Sequence, residues 1–208
     1  MDTHWTDPGR RHRRRRVWTG IVTTTSAARF EYLHLETQRH RRSHGCDAYT
    51  FADGPGLLTL ATAELPVRIL ELGTAVGYTA CILASATPST TVDSVERDPV
   101  HVSLARENVR SANLQDRVTV HHGDFSAVIT GLDGDYDLAF FDGLSPTPGV
   151  VEHLRALLKP GGVLVCANLA LSHGAEKNSV GAEFAHDDRW AYVGSIEGGG
   201  TRAYRKIG

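Results

Sequence analysis

The 208-residue sequence holds no apolar run approaching the roughly 20 residues that cross a bilayer, and no apolar segment follows its charged first residues. Neither a membrane span nor a secretory leader is expected. Cysteine is scarce. Cys46, Cys81 and Cys166 lie far apart without C-x-x-C spacing, which argues against a disulfide framework or a zinc site and for reduced thiols in a cytoplasm. No internal repeat or second domain is visible, and residues 25–208 are long enough for one domain with a sizeable core.

Charge is present but unevenly placed. The net charge is −2, yet residues 1–44 hold ten arginines against Asp2, Asp7, Glu31 and Glu36, which leaves −8 on the remainder. The block GRRHRRRR, Gly9 to Arg16, repels itself and predicts an extended, disordered leader over residues 1–24. Its competing reading is a nucleic-acid arm, since clustered arginine neutralises phosphates, although no aromatic is interleaved to stack on bases. A helix from Ser26 to about Arg42 is expected next, with Ser26 as N-cap and Phe30 and Leu33 packing inward. His34, His40 and His44 fall among arginines, so they are expected at the surface, with a metal opposed by the surrounding cations. A loop and a short apolar helix, Leu57 to Leu65, end at Pro66.

Residues 69–80, ILELGTAVGYTA, organise the rest of the chain: an apolar strand, a turn bracketed by Gly73 and Gly77, then a helix whose free N–H groups face the turn. The second glycine of a dinucleotide fingerprint is missing, because Ala75 stands in its place, so close approach of a pyrophosphate is not provided for. Glu71 adds an anion that repels a polyphosphate and favours an ammonium or sulfonium. Strands at Thr91 to Glu96, Val118 to His121, Tyr136 to Phe141 and Val163 to Asn168 alternate with helices at Tyr78 to Ala86, Pro99 to Asn113, Phe125 to Ile129 and a segment stopped by KPGG. The ending WAYVGSIEGGGTRAYRKIG predicts a hairpin. The pattern is α/β, five β-α units and an antiparallel edge pair.

The string E-L-G-T-A-V-G-Y-T-A resembles motif I of the class I S-adenosylmethionine-dependent methyltransferases, E-x-G-x-x-x-G, and more narrowly the catechol and caffeoyl-CoA type O-methyltransferases, E-L-G-T-x-x-G-Y-S-A. The resemblance spans roughly residues 48 to 208. It implies a Rossmann-like, doubly wound, mostly parallel seven-stranded sheet with an antiparallel C-terminal hairpin, preceded by N-terminal helices over residues 26–65. It implies S-adenosyl-L-methionine as cofactor, held by Thr50, Glu71, Gly73, Thr74, Gly77, Tyr78, Thr79, Glu96, Arg97, Gly123, Asp124, Phe125 and Asp142. In that set Thr50 lies near the methionine carboxylate. Glu96, 19 residues after Gly77, accepts both ribose hydroxyls or else lends charge to the next helix, whose cap Asp98 already provides. Asp124 accepts from the adenine amino group or caps the helix after it, and Phe125 lies against the ring.

In the resembled family magnesium sits on an Asp after the fourth strand and an Asp-Asn pair after the fifth. Here Asp142 and Asn168 match, but Ala167 replaces the second Asp, so a metal-independent variant is expected. A side chain then serves as base or orients the acceptor: His173, unless it is an ordinary loop histidine, with Asp142 and Tyr78 as further candidates. The expected activity is O-methylation of a small aromatic or secondary-metabolite acceptor by a homo-oligomer. An RNA methyltransferase using the basic arm, or a non-catalytic cofactor-binding protein, are the competing readings.

Overall fold

The computed structural model describes residues 27–171, 180–186 and 188–208. The arginine block, Ser26 and His173 lie outside them. Helix α1 (Glu31–His44) runs past Arg42 because Gly45 supplies its stop, at φ 62 with its N–H bonded to the Arg41 carbonyl. Helix α2 (Gly54–Glu64) starts before the expected Leu57: Asp53 caps it by accepting from the Gly56 N–H at 2.8 Å, and Pro55 occupies the first turn.

The alternating units are β1 (Arg68–Leu72), α3 (Tyr78–Leu83), β2 (Thr91–Glu96), α4 (Pro99–Ser111), β3 (Val118–His122), α5 (Phe125–Ile129), β4 (Tyr136–Phe141), α6 (Pro148–Leu157) and β5 (Leu158–Cys166). Strands β6 (Trp190–Ile196) and β7 (Thr201–Lys206) close the chain. The sheet order is β3-β2-β1-β4-β5-β7-β6, parallel through β5 and antiparallel in the last two pairings. This is the expected seven-stranded sheet.

Strand β5 differs from expectation. It begins at Leu158, directly after α6, so Lys159–Gly162 belong to the strand and do not merely stop the helix; pairing to β4 shifts register between Leu158 and Val163. It ends at Cys166, which leaves Ala167 and Asn168 beyond the ladder, Asn168 with φ 60.

Alternating side chains give the sheet two apolar faces. Ile69, Val92, Leu138, Phe140 and Val165 pack with α2, α3 and α4, while Leu70, Leu72, Ala139, Phe141 and Leu164 pack with Val151 and Leu154 of α6. Each fully buried residue of this size contributes roughly 1.5–3 kcal/mol relative to exposure, so burial on both faces fixes the register of β1 and β4. Among the described residues no helix is long and apolar enough to cross a membrane.

Candidate active site

The chain winds from β1 out to β3, returns, and continues from β4 in the other direction. A crevice therefore opens between the carboxyl ends of β1 and β4, the place where open α/β sheets bind ligands. Backbone hydrogen bonds tie the strand ends into a rail: the Gly73 N–H to the Val95 carbonyl at 3.1 Å, the Asp142 N–H to the Leu72 carbonyl at 2.9 Å, and the Gly123 N–H to the Glu96 carbonyl at 2.9 Å. Gly73, at φ 108, is required here, because a Cβ would lie 2.7 Å from the Asp142 carbonyl oxygen. Gly77, at φ 96, turns the loop into α3.

Thr37, Tyr49, Thr50, Phe51, Gly73, Thr74, Ala75, Tyr78, Thr79 and Asp142 line one cleft. Thr50, Gly73, Thr74, Tyr78, Thr79 and Asp142 are thus gathered as the sequence suggests. Thr37, Tyr49 and Phe51 were not anticipated. Thr37 is buried on α1 with its hydroxyl bonded to the Leu33 carbonyl at 2.7 Å, and a lone buried threonine gives no local signal. The Thr50 hydroxyl lies 3.1 Å from His34 Nδ1, and the His34 ring meets Tyr78 edge-on at 5.2 Å. His34 and His40 are half-buried and so are not the surface residues expected; only His44 is exposed.

Glu71 is wholly buried beneath the turn and does not line the cleft. Burial raises its pKa to about 7; the Ser94 and Thr79 hydroxyls pull it down, and Glu96 pushes it up again. Ser94 donates to Oε2 and in turn meets the Thr74 hydroxyl, while Oε1 has no well-formed hydrogen bond. Near neutrality this acid is poised between its charged and neutral forms, a finer state than the fixed anion the sequence suggests. An orphaned buried oxygen below a glycine turn fits a ligand that brings positive charge or a donor.

Glu96 stands at the end of β2, with Oε2 accepting from the Ala75 N–H and Oε1 from the Asp98 N–H, both at 2.9 Å. It reaches the glycine turn directly. Asp124 caps α5 through Ser126, whose N–H and hydroxyl lie 3.0 and 2.7 Å from Oδ1, and this bonding lowers its pKa. Phe125 packs edge-on against Phe141 at 6.2 Å. Arg97 is exposed and reaches Asp47 at 4.0 Å. These last residues, with Gly123, follow the ends of β2 and β3 and are outside the cleft lining.

Asp142 is half-buried and held from the side by Asn168, whose Nδ2 donates to Asp142 Oδ1 at 3.2 Å and to the Gly143 carbonyl at 2.7 Å. Burial, then Glu71 and Glu197, raise the Asp142 pKa well above the usual carboxylate range, against the Asn168 bond. Glu197 comes from the turn between β6 and β7, which no motif announces. Tyr78 is pushed up to about 12 by burial, then by Glu31 and Asp53, so at neutral pH it is a donor and not a base. For magnesium the donor set is poor: Ala167 offers no side-chain oxygen and the Asn168 amide group is turned as donor toward Asp142. The residues present do not fit that ion.

Residues 70–169 match a family model described as a methyltransferase domain. The chain is 38% identical over 112 residues to protein-L-isoaspartate O-methyltransferase of Thermococcus onnurineus, covering 52% of this chain and 48% of that protein. It is 32% identical over 130 residues to catechol O-methyltransferase of Mycobacterium tuberculosis, covering 61% and 59%. The matched part thus spans about half the length of these relatives. The O-methyltransferase from Bacillus cereus in complex with SAH superposes with a TM-score of 0.70 at 22% identity, covering 90% of this chain and 100% of that one. Residues 70–169 are thus similar in sequence to methyltransferase domains, and the chain shares the fold of the Bacillus cereus O-methyltransferase.

Proposed function

We propose that this chain is an S-adenosylmethionine-dependent O-methyltransferase acting on a small acceptor without a divalent metal at Asp142. The observation that carries the reading is the cleft between β1 and β4, closed on one side by Asp142, with Glu71 buried beneath the glycine turn that borders it. The cofactor fits this chemistry, and when bound it supplies an electrophilic methyl on a positively charged sulfur. Glu71 compensates that charge from below, and Glu96 serves the ribose side through its position at the glycine turn. Tyr49 and Phe51 limit water over the cleft.

With the cofactor bound, a hydroxyl acceptor would lose its proton as its oxygen took the methyl carbon and the sulfur kept the electron pair of the broken carbon–sulfur bond. Asp142, its pKa raised above the usual carboxylate range by burial, takes that proton, and Asn168 fixes the carboxylate's orientation. His173 remains a second candidate for the base. The two relatives act on unlike acceptors, protein isoaspartate and catechol by their names, so their shared half supports the cofactor reading better than any acceptor. A cytoplasmic, homo-oligomeric enzyme completes the proposal, the former supported by the three free thiols.

The test is calorimetric binding of S-adenosylhomocysteine followed by turnover on a panel of phenolic acceptors with and without EDTA. Binding and EDTA-insensitive turnover are expected. Asp142→Asn keeps product binding and loses about 10²–10⁴-fold in kcat. Turnover that requires magnesium would overturn the metal-free reading, and full activity in Asp142→Asn would remove Asp142 as the base.

A further inference from the structure

We propose that His40, Cys46 and His101 form a binding site for a thiophilic divalent ion, zinc or a close analogue, separate from the cofactor cleft. One ligand atom from each residue lies within 4.8 Å of the others. The three come from different elements: His40 from α1, Cys46 from just beyond the left-handed turn at Gly45, and His101 from the first turn of α4. Tetrahedral zinc with bonds of about 2.0–2.3 Å sets its ligands roughly 3.4–3.8 Å apart, so a closure of about 1 Å completes three corners and water takes the fourth. Imidazole and thiolate favour zinc over magnesium, which sets this cluster apart from the oxygen positions at Asp142 and Asn168.

The surroundings suit a cation better than the sequence suggests. Arg39 is paired with Glu36 at 2.9 Å, the Arg41 guanidinium lies over the Tyr49 ring at 3.7 Å, and Arg97 faces Asp47 at 4.0 Å. Asp98 and Glu36 add negative potential at His40. His101 is only 5% exposed, and its Nδ1 lies 3.8 Å from Glu96 Oε1. Burial, then the neighbouring His101 and His44, hold the His40 pKa below the usual value, and neutral imidazole is the form that binds metal.

The site has a mechanical consequence. Helix α1 and the segment after it carry Thr37, Tyr49, Thr50 and Phe51 onto the cleft, while α4 follows directly on Glu96. An ion at this cluster staples the segment over the cleft to the helix after β2, whose terminal Glu96 accepts from the Ala75 N–H of the glycine turn.

The experiment uses the full chain, reduced and freed of metal with EDTA, titrated with Zn2+ by calorimetry and with Co2+ by absorption spectroscopy. One ion per chain is expected, with a near-ultraviolet thiolate-to-cobalt band that Cys46→Ser abolishes; Cys81 and Cys166 are fully buried and do not substitute. His101→Ala weakens zinc binding about a hundredfold, and Asp142→Asn leaves it unchanged. Zinc at a hundredfold excess over its Kd raises the unfolding midpoint by roughly 5–10 °C in the parent chain and not in Cys46→Ser, whose half-buried position tolerates the change. Substoichiometric binding, a cobalt band that survives Cys46→Ser, or zinc affinity equal in Cys46→Ser and the parent overturns the proposal.

Discussion

Glu71 shows how one residue can be legible in type and still hold a surprise in state. Its place before the glycine turn is plain in the sequence, but its complete burial depends on neighbouring strands, since Ser94 of β2 bonds one oxygen and leaves the other unmet. The folded pKa of about 7 lies above the ordinary 4.5. A raised acid favours folding below its unfolded pKa, and that contribution fades as pH rises through the folded value, because the folded state must then give up a proton it holds more tightly. Stability should therefore fall between about pH 4.5 and pH 7, by about 3 kcal/mol from this group. Asp142, raised for the same physical reason, contributes with the same sign. Urea unfolding of Glu71→Gln across this range should show a shallower slope than the parent, with a gain in stability at the alkaline end. A parent-like slope would mean that the buried carboxyl does not titrate there.

Elements were legible where a single stretch carries both pattern and punctuation. Thr91–Glu96, Tyr136–Phe141 and Phe125–Ile129 match their sequence readings, the last because Asp124 caps its helix as a strand-end Asp can. Boundaries failed where the stop was read from the wrong residue: Gly45 ends α1, Asp53 starts α2, and β5 takes up the KPGG run. Assemblies across distant elements left no local trace at all. His40, Cys46 and His101 meet only because α1 packs beside α4, and Glu197 reaches Asp142's field only because the hairpin folds back along β5. That hairpin contact makes a prediction. Glu197 raises the Asp142 pKa, so Glu197→Gln, which can still accept from the Thr201 hydroxyl at 2.6 Å, should move the acidic limb of the pH–rate profile to lower pH without changing the plateau. An unmoved limb would remove either Glu197's influence or Asp142's role.

At the scale of the whole molecule, two apolar faces hold a sheet whose functional groups all emerge at one edge, and the junction of β1 with β4 is where the winding direction changes. The sequence shows Gly73 as part of a turn; it does not show that the glycine is also the contact surface between the two halves of the sheet. At φ 108, with a Cβ only 2.7 Å from the Asp142 carbonyl oxygen, Gly73→Ala faces both conformational strain and a clash with backbone that cannot swing aside. Gly161→Ala isolates the first cost, since it too has a positive φ of 79 but open space around the new methyl. The strain alone is of order 1–3 kcal/mol. Gly73→Ala should therefore lower the urea midpoint well beyond Gly161→Ala and abolish S-adenosylhomocysteine binding, while Gly161→Ala keeps it. Equal losses in the two variants, with binding intact in both, would mean that the halves of the sheet do not meet through this glycine and that the cleft between them is not the cofactor site.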